Sequence, residues 1–106
     1  MPRKKERIPY YSETVLDCSS GLRGARITDL STGGCFIDSI LEVSVGEKIS
    51  FYLTLPDSEM IFLTAYVRYI IPMIGFGVEF TDLNEESTRR LEEVVSSKLV
   101  GQAVAG

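Results

Sequence analysis

The sequence predicts a mainly β fold finished by one helix. Three observations carry that prediction. Short runs over the first eighty residues alternate apolar and polar side chains at period two. Clusters of Ser, Gly, Pro and Asp separate the runs at close spacing. After Asp82 the apolar period changes from two to that of a helix. Strands at this spacing point to a sandwich or a small barrel. Closing the sheet would also remove its exposed edges.

The first strand is predicted over residues 10–18, with Val15 flanked by Thr14 and Leu16. Ser19-Ser20-Gly21 supplies a turn. A second strand follows over 22–29. Strict alternation puts Leu22, Gly24, Arg26 and Thr28 on one face, and Arg23, Ala25, Ile27 and Asp29 on the other. Ser31-Thr32-Gly33-Gly34 forms the next turn, and Cys35-Phe36-Ile37 resumes extended chain. Residues 47–55 alternate cleanly, with Ile49, Phe51, Leu53 and Leu55 on one face, and Pro56-Asp57-Ser58 closes the strand. A long strand over 60–70 sets Ile61, Leu63, Ala65, Val67 and Tyr69 in register. Pro72 and Gly75 mark its turn, and Phe76, Val78 and Phe80 line the last strand.

The helix is predicted over 83–100. Asp82 with Glu85 resembles a capping box. Leu83, Ser87, Leu91, Val94, Val95 and Leu99 recur at helical spacing and form one face. Glu85 and Glu86 in the first turn and Lys98 in the last suit the helix dipole. Gly101 reads as the stop, with residues 101–106 as a frayed tail. One apolar stripe must be buried, most simply over the open end of a barrel.

Composition narrows the chemistry. A chain of 106 residues is one domain with one core. Histidine is absent, which removes Ser-His-Asp and Cys-His catalysis and every His-based metal site. Two cysteines are too few for a structural zinc site. Cys18 and Cys35 are read as reduced packing residues. No apolar run nears the ~20 residues of a membrane helix. The basic N-terminus leads into no apolar stretch, so no secretory signal is read and the expected location is cytoplasmic. Glu85, Glu86, Glu92 and Glu93 read as a solvated helix face, not a catalytic pair. No enzyme is expected.

Charge is divided unevenly. Four of the eleven basic residues and one of the fifteen acidic ones lie in the first seven positions, a local net of +3. The remaining 99 residues hold 7 basic and 14 acidic groups, a net of −7. An acidic body disfavours DNA or RNA, whose affinity rests on neutralising many phosphates. A short basic arm can still grip a small anion.

Two motifs remain. Arg3 to Arg7 reads R-x-x-x-R, and Asp29-Leu30-Ser31-Thr32-Gly33-Gly34 reads D-x-S-x-x-G. Each alone is common. Their order and separation, ahead of a strand-rich body, are specific, and the sequence resembles the PilZ domain family of bacterial cyclic di-GMP receptors. Leu41 to Gly46, Ala65 to Tyr69, Gly75 to Phe80 and Asp82-Leu83 extend the resemblance over nearly the whole chain. It implies a six-stranded antiparallel β-barrel over 10–82, a flexible arm over 1–9 and no cofactor other than the ligand. It also implies an unidentified protein partner in motility, pilus or exopolysaccharide control. The expected state is a monomer or weak dimer.

The resemblance further implies that Arg3 and Arg7 bind the ligand. Arginine suits both its phosphates and its guanine O6 and N7 edges, through bidentate bonds. Asp29 would accept guanine N–H donors or orient an arginine. Ser31 would offer a hydroxyl. Gly34 would permit a positive φ and close approach of the backbone. Lys4, Gly33 and Arg26 are accessory candidates. Tyr10 and Tyr11 either stack on guanine or pack on the barrel. A plainer reading makes the arm a solvated tail and Asp29 to Gly34 an ordinary turn. The alternative function is a nucleotide-independent adaptor of the same fold.

Overall fold

The computed structural model describes residues 6–105, with side chains as far as residue 98. Six strands form: β1 (Ile8–Cys18), β2 (Gly21–Leu30), β3 (Gly34–Asp38), β4 (Lys48–Thr54), β5 (Met60–Ile71) and β6 (Gly75–Thr81). Helix α1 (Glu85–Ala105) follows. Every pairing is antiparallel, and the sheet closes in the order β1-β2-β3-β6-β5-β4. Closure is what the resemblance implies, and the alternating pattern explains how it is filled. Ile49, Phe51, Leu53, Leu55, Ile61, Leu63, Ala65, Val67, Phe76, Val78 and Phe80 all face inward and are buried. Each large side chain removed from water contributes about 1.5–3 kcal/mol.

The β1–β4 seam differs from the rest. It holds a single ladder pair, Asp17 with Ser50. Side chains close the remainder. The Tyr10 hydroxyl donates to the Thr54 carbonyl at 2.7 Å, and Thr14 Oγ donates to the Tyr52 carbonyl at 2.8 Å. The Thr54 N–H donates to Ser12 Oγ at 3.4 Å. Tyr10 is therefore a barrel-packing residue, while Tyr11 is exposed on the outer face.

Strict alternation fails at two β-bulges. In β2 the register shifts between Ile27 and Asp29. Ile27 stays in the core, but Asp29, which alternation would also bury, turns outward and Leu30 takes the inward place. In β5 the register shifts between Val67 and Tyr69. Val67 is buried, whereas Tyr69, expected on the same face, is 43% exposed. A bulge adds one residue to one strand, so every side chain beyond it changes face.

The helix also departs from expectation at both ends. Asp82 has a φ of 60° and cannot cap, because a capping residue is extended. Asn84 caps instead, its Oδ1 accepting the Ser87 N–H at 2.7 Å. At the other end the helix runs through Gly101 to Ala105. One glycine inside a helix costs about 1 kcal/mol and does not by itself stop it. Leu91, Val94 and Val95 are buried in the barrel's core cluster, as the apolar stripe requires. Arg90 fastens the helix to the β4–β5 turn through Asp57 (3.2 Å) and Glu59 (2.9 Å). The helix and the Asp29–Gly34 segment thus share one end of the barrel.

Candidate ligand site

Pairing brings the two motifs together. Pro9 stands opposite Asp29 in the β1–β2 ladder. Arg7 lies two residues earlier, so it projects from the same outer face. Its Nη1 donates to Asp29 Oδ1 at 2.6 Å, across 22 positions of sequence. The same oxygen accepts the Phe36 N–H at 3.0 Å. Both side chains remain partly open to solvent, at 42% for Arg7 and 33% for Asp29. An ion pair so exposed contributes at most about 1 kcal/mol to stability. Its use is to hold a guanidinium and a carboxylate in fixed positions at the surface.

Ser31 and Gly34 are built into the turn. Ser31 is buried. Its Oγ accepts the Gly33 N–H at 3.2 Å and the Gly34 N–H at 3.1 Å, and donates to the Gly34 carbonyl at 3.2 Å. The Ser31 N–H also reaches the Gly34 carbonyl, at 2.8 Å. Gly33 accepts the Phe80 N–H at 2.8 Å, which ties the turn to β6.

Of the two features expected at Gly34, the positive φ is absent: among the described residues the left-handed glycines are Gly21 and Gly46. Gly34 is required by close approach alone. A Cβ there would collide with the Val78 carbonyl oxygen, and would lie 3.2 Å from its carbon and 3.3 Å from Glu79 Cα.

The accessory candidates divide. Arg3 and Lys4 lie outside the described residues, as does Lys5. Arg26 is on the outer face of β2, but its guanidinium faces Asp38 at 3.9 Å and not the Arg7–Asp29 pair. Two broad surface depressions, of about 690 and 580 Å³, are lined by neither Arg7 nor Asp29. One borders Glu13 to Val15 and Gly24 to Arg26, the other Tyr10 and Lys98. Cys18 and Cys35 are free thiols, and burial pushes the Cys35 thiol far above its ordinary range. Among the described residues no three Cys, Asp or Glu side chains stand close enough to hold a metal. No helix there is long and apolar enough to cross a membrane.

Sequence reasoning missed one part of this face. Asp29, Phe36, Gly77 and Tyr69 form one cross-strand row over β2, β3, β6 and β5. The Phe36 and Tyr69 rings stand 6.2 Å apart, tilted by 34°. The two bulges turn out the residues at both ends of the row, and no alternation rule reveals a bulge.

The sequence matches the family model described as PilZ domain over residues 2–97. No curated protein matches it. Among solved structures, the Bacillus subtilis inhibitor of motility MotI/DgrA is similar with a TM-score of 0.77 at 16% identity. That alignment covers 93% of this chain and 52% of the other, so the chain spans about half the length of the Bacillus protein. The PilZ domain of CeSA from a cellulose synthesizing bacterium is similar with a TM-score of 0.66 at 20% identity, covering 87% and 96%. At such identities the likeness is one of fold.

Proposed function

The chain belongs to the PilZ domain family, and from that membership we propose that it is a non-enzymatic receptor for cyclic di-GMP. The observation that supports this best is the 2.6 Å bond from Arg7 to Asp29. It joins the two halves of the motif pair on one outer face. In the proposed complex Arg3 and Arg7 bind phosphate and guanine edges through their planar forks. Asp29 accepts guanine N–H donors. Ser31 and Gly34 hold the turn that presents it. Lys4 adds long-range attraction for a dianion, with Gly33 and Arg26 secondary.

Ile8 and Pro9, expected in the arm, belong to β1, and Arg7 already stands at the barrel wall; in the proposed complex Arg3 joins it on the ligand, and the surface so formed is read by a protein partner. A cytoplasmic setting goes with this proposal. No step of catalysis is assigned to any carboxylate.

Isothermal titration with cyclic di-GMP tests the reading, with GMP and cyclic di-AMP as controls. Saturable binding of cyclic di-GMP alone is expected. Arg7→Ala should weaken it at least tenfold, because losing a bidentate contact costs about 1–3 kcal/mol. No heat from the wild-type protein would sink the receptor reading and leave a nucleotide-independent adaptor.

A further inference from the structure

The outer wall of β4 and β5 carries apolar side chains that the barrel's own core does not use. Tyr52 and Phe62 are cross-strand partners, and their rings meet edge to face at 5.1 Å. Both are more than half exposed, at 53% and 54%. Met60 and Tyr66 stand on the same face of β5, to either side of Phe62, and are exposed as well. Asp17 pairs with Ser50 across the β1–β4 seam, so Val15 comes opposite Tyr52, and it too is exposed. The uncovered parts of these side chains form an apolar patch of roughly 400–500 Å². Patches of that size mark interaction surfaces. A stable protein pair needs about 800 Å² on each side, apolar at the centre and polar at the rim. The patch supplies the centre.

The charges at its ends indicate what covers it. Lys48 lies four residues from Tyr52 at one end of β4 and forms no ion pair among the described residues. The β4–β5 turn lies equally far in the other direction. Its Asp57 and Glu59 share the single cation of Arg90, which leaves the turn with a net charge of −1. The wall is therefore positive at one end and negative at the other, with the aromatic pair midway. Glu13 and Asp17 flank Val15 on β1, at the rim, where the barrel curves away. The exposed β5–β6 tip at Met73 offers no such match, because the charged groups beside it, Glu42 and Glu47, are both acidic.

We propose that the β4–β5 wall is the contact between two copies of this chain. The two-fold axis runs along the Val15–Tyr52–Phe62 row, across the strands. It turns the second copy end for end, so each Tyr52–Phe62 pair packs on its equivalent, as two sheets pack face to face. Each Lys48 then lies over the acidic turn of the other copy. An axis along the strands would instead set the two acidic turns against each other. A contact of this self-complementary kind closes with two copies. β4 stands three strands from β3 in either direction round the barrel, so pairing leaves β3 on the outside of both copies. The proposal stands apart from the receptor reading.

The test is sedimentation equilibrium of the wild-type protein and five variants over a wide range of concentration. The wild type should form dimers in a fraction that rises with concentration. Phe62→Asp should weaken association at least tenfold, because it leaves an unpaired charge inside the contact. Tyr52→Ser should weaken it severalfold, and serves as the milder variant if Phe62→Asp folds poorly by circular dichroism. Lys48→Glu should also weaken association severalfold, while Lys48→Arg stays within about twofold of wild type. Met73→Asp, at the β5–β6 turn, should change nothing. A wild-type protein that is monomeric throughout would overturn the proposal. So would a dimer indifferent to both Phe62→Asp and Tyr52→Ser. A dimer weakened by those two variants but untouched by Lys48→Glu would overturn the axis across the strands.

Discussion

Gly34→Ala offers a sharp test of the turn. The added methyl would collide with the Val78 carbonyl oxygen, and its other near neighbours, Val78 C and Glu79 Cα, are also backbone atoms. No side chain can swing aside, so β6 must move away from β3. Overpacking of this kind costs about 1–3 kcal/mol. Disturbing one or two ladder or turn bonds adds about 1 kcal/mol each. The expected loss is therefore about 3–4 kcal/mol, against a whole-domain stability of roughly 5–15 kcal/mol.

Gly24→Ala is the matched control, since its Cβ would meet nothing within 4 Å and its φ is ordinary. Alanine there should be neutral, or stabilising by about 0.5 kcal/mol. Urea melts followed by circular dichroism would measure both. At about 4–8 °C per kcal/mol, the Gly34 variant should melt more than 10 °C below the control. Two variants within about 1 kcal/mol of each other would refute the close approach. The motif glycine would then have to be explained by ligand contact alone.

Two further predictions concern other parts of the fold. Asn84→Ala should cost about 1 kcal/mol by removing the helix cap, while Asp82→Gly should be neutral or better because glycine accepts the left-handed φ; thermal melts would separate them. Glu47 is held below the ordinary carboxylate range by the Ser19 N–H and hydroxyl and by the Ser44 N–H. Its stabilisation should be complete above the unfolded value of about 4.3 and vanish as pH falls through the lower folded value. The stability gap between wild type and Glu47→Gln, measured from pH 7 to pH 2, should therefore close toward the acid end; a constant gap would refute the assignment.

Much of the barrel was legible because period-two alternation is a direct record of burial. β4 reads correctly from Ile49 to Leu55, and β5 from Ile61 to Val67. The Asp29–Gly34 motif was legible from residue types and spacing. What escaped the sequence shares one cause. A bulge changes the face of a strand without leaving a mark in the alternation on either side. Asp29 was placed on one face with Ile27, and Tyr69 in register with Val67. Both assignments fail at a register shift. Gly34 was legible as a position of close approach; the positive φ read beside it is absent, and no sequence shows that the approaching group is another strand's carbonyl. The helix cap was misread by two positions, because Asp82 and Asn84 are both good caps on paper and only φ separates them.

The β1–β4 seam has a bearing on how the molecule yields. A ladder resists sliding because its bonds must break together. Hydroxyl clasps at Tyr10, Ser12 and Thr14 let go one at a time and re-form on neighbouring carbonyls or on water. β1 is therefore stitched firmly to β2 and only buttoned to β4. The compliant line of the barrel runs beside the strand from which Arg7 projects. A pull on the chain's leading end is absorbed there first, as a small parting of two staves, while β3, β5 and β6 keep their shape.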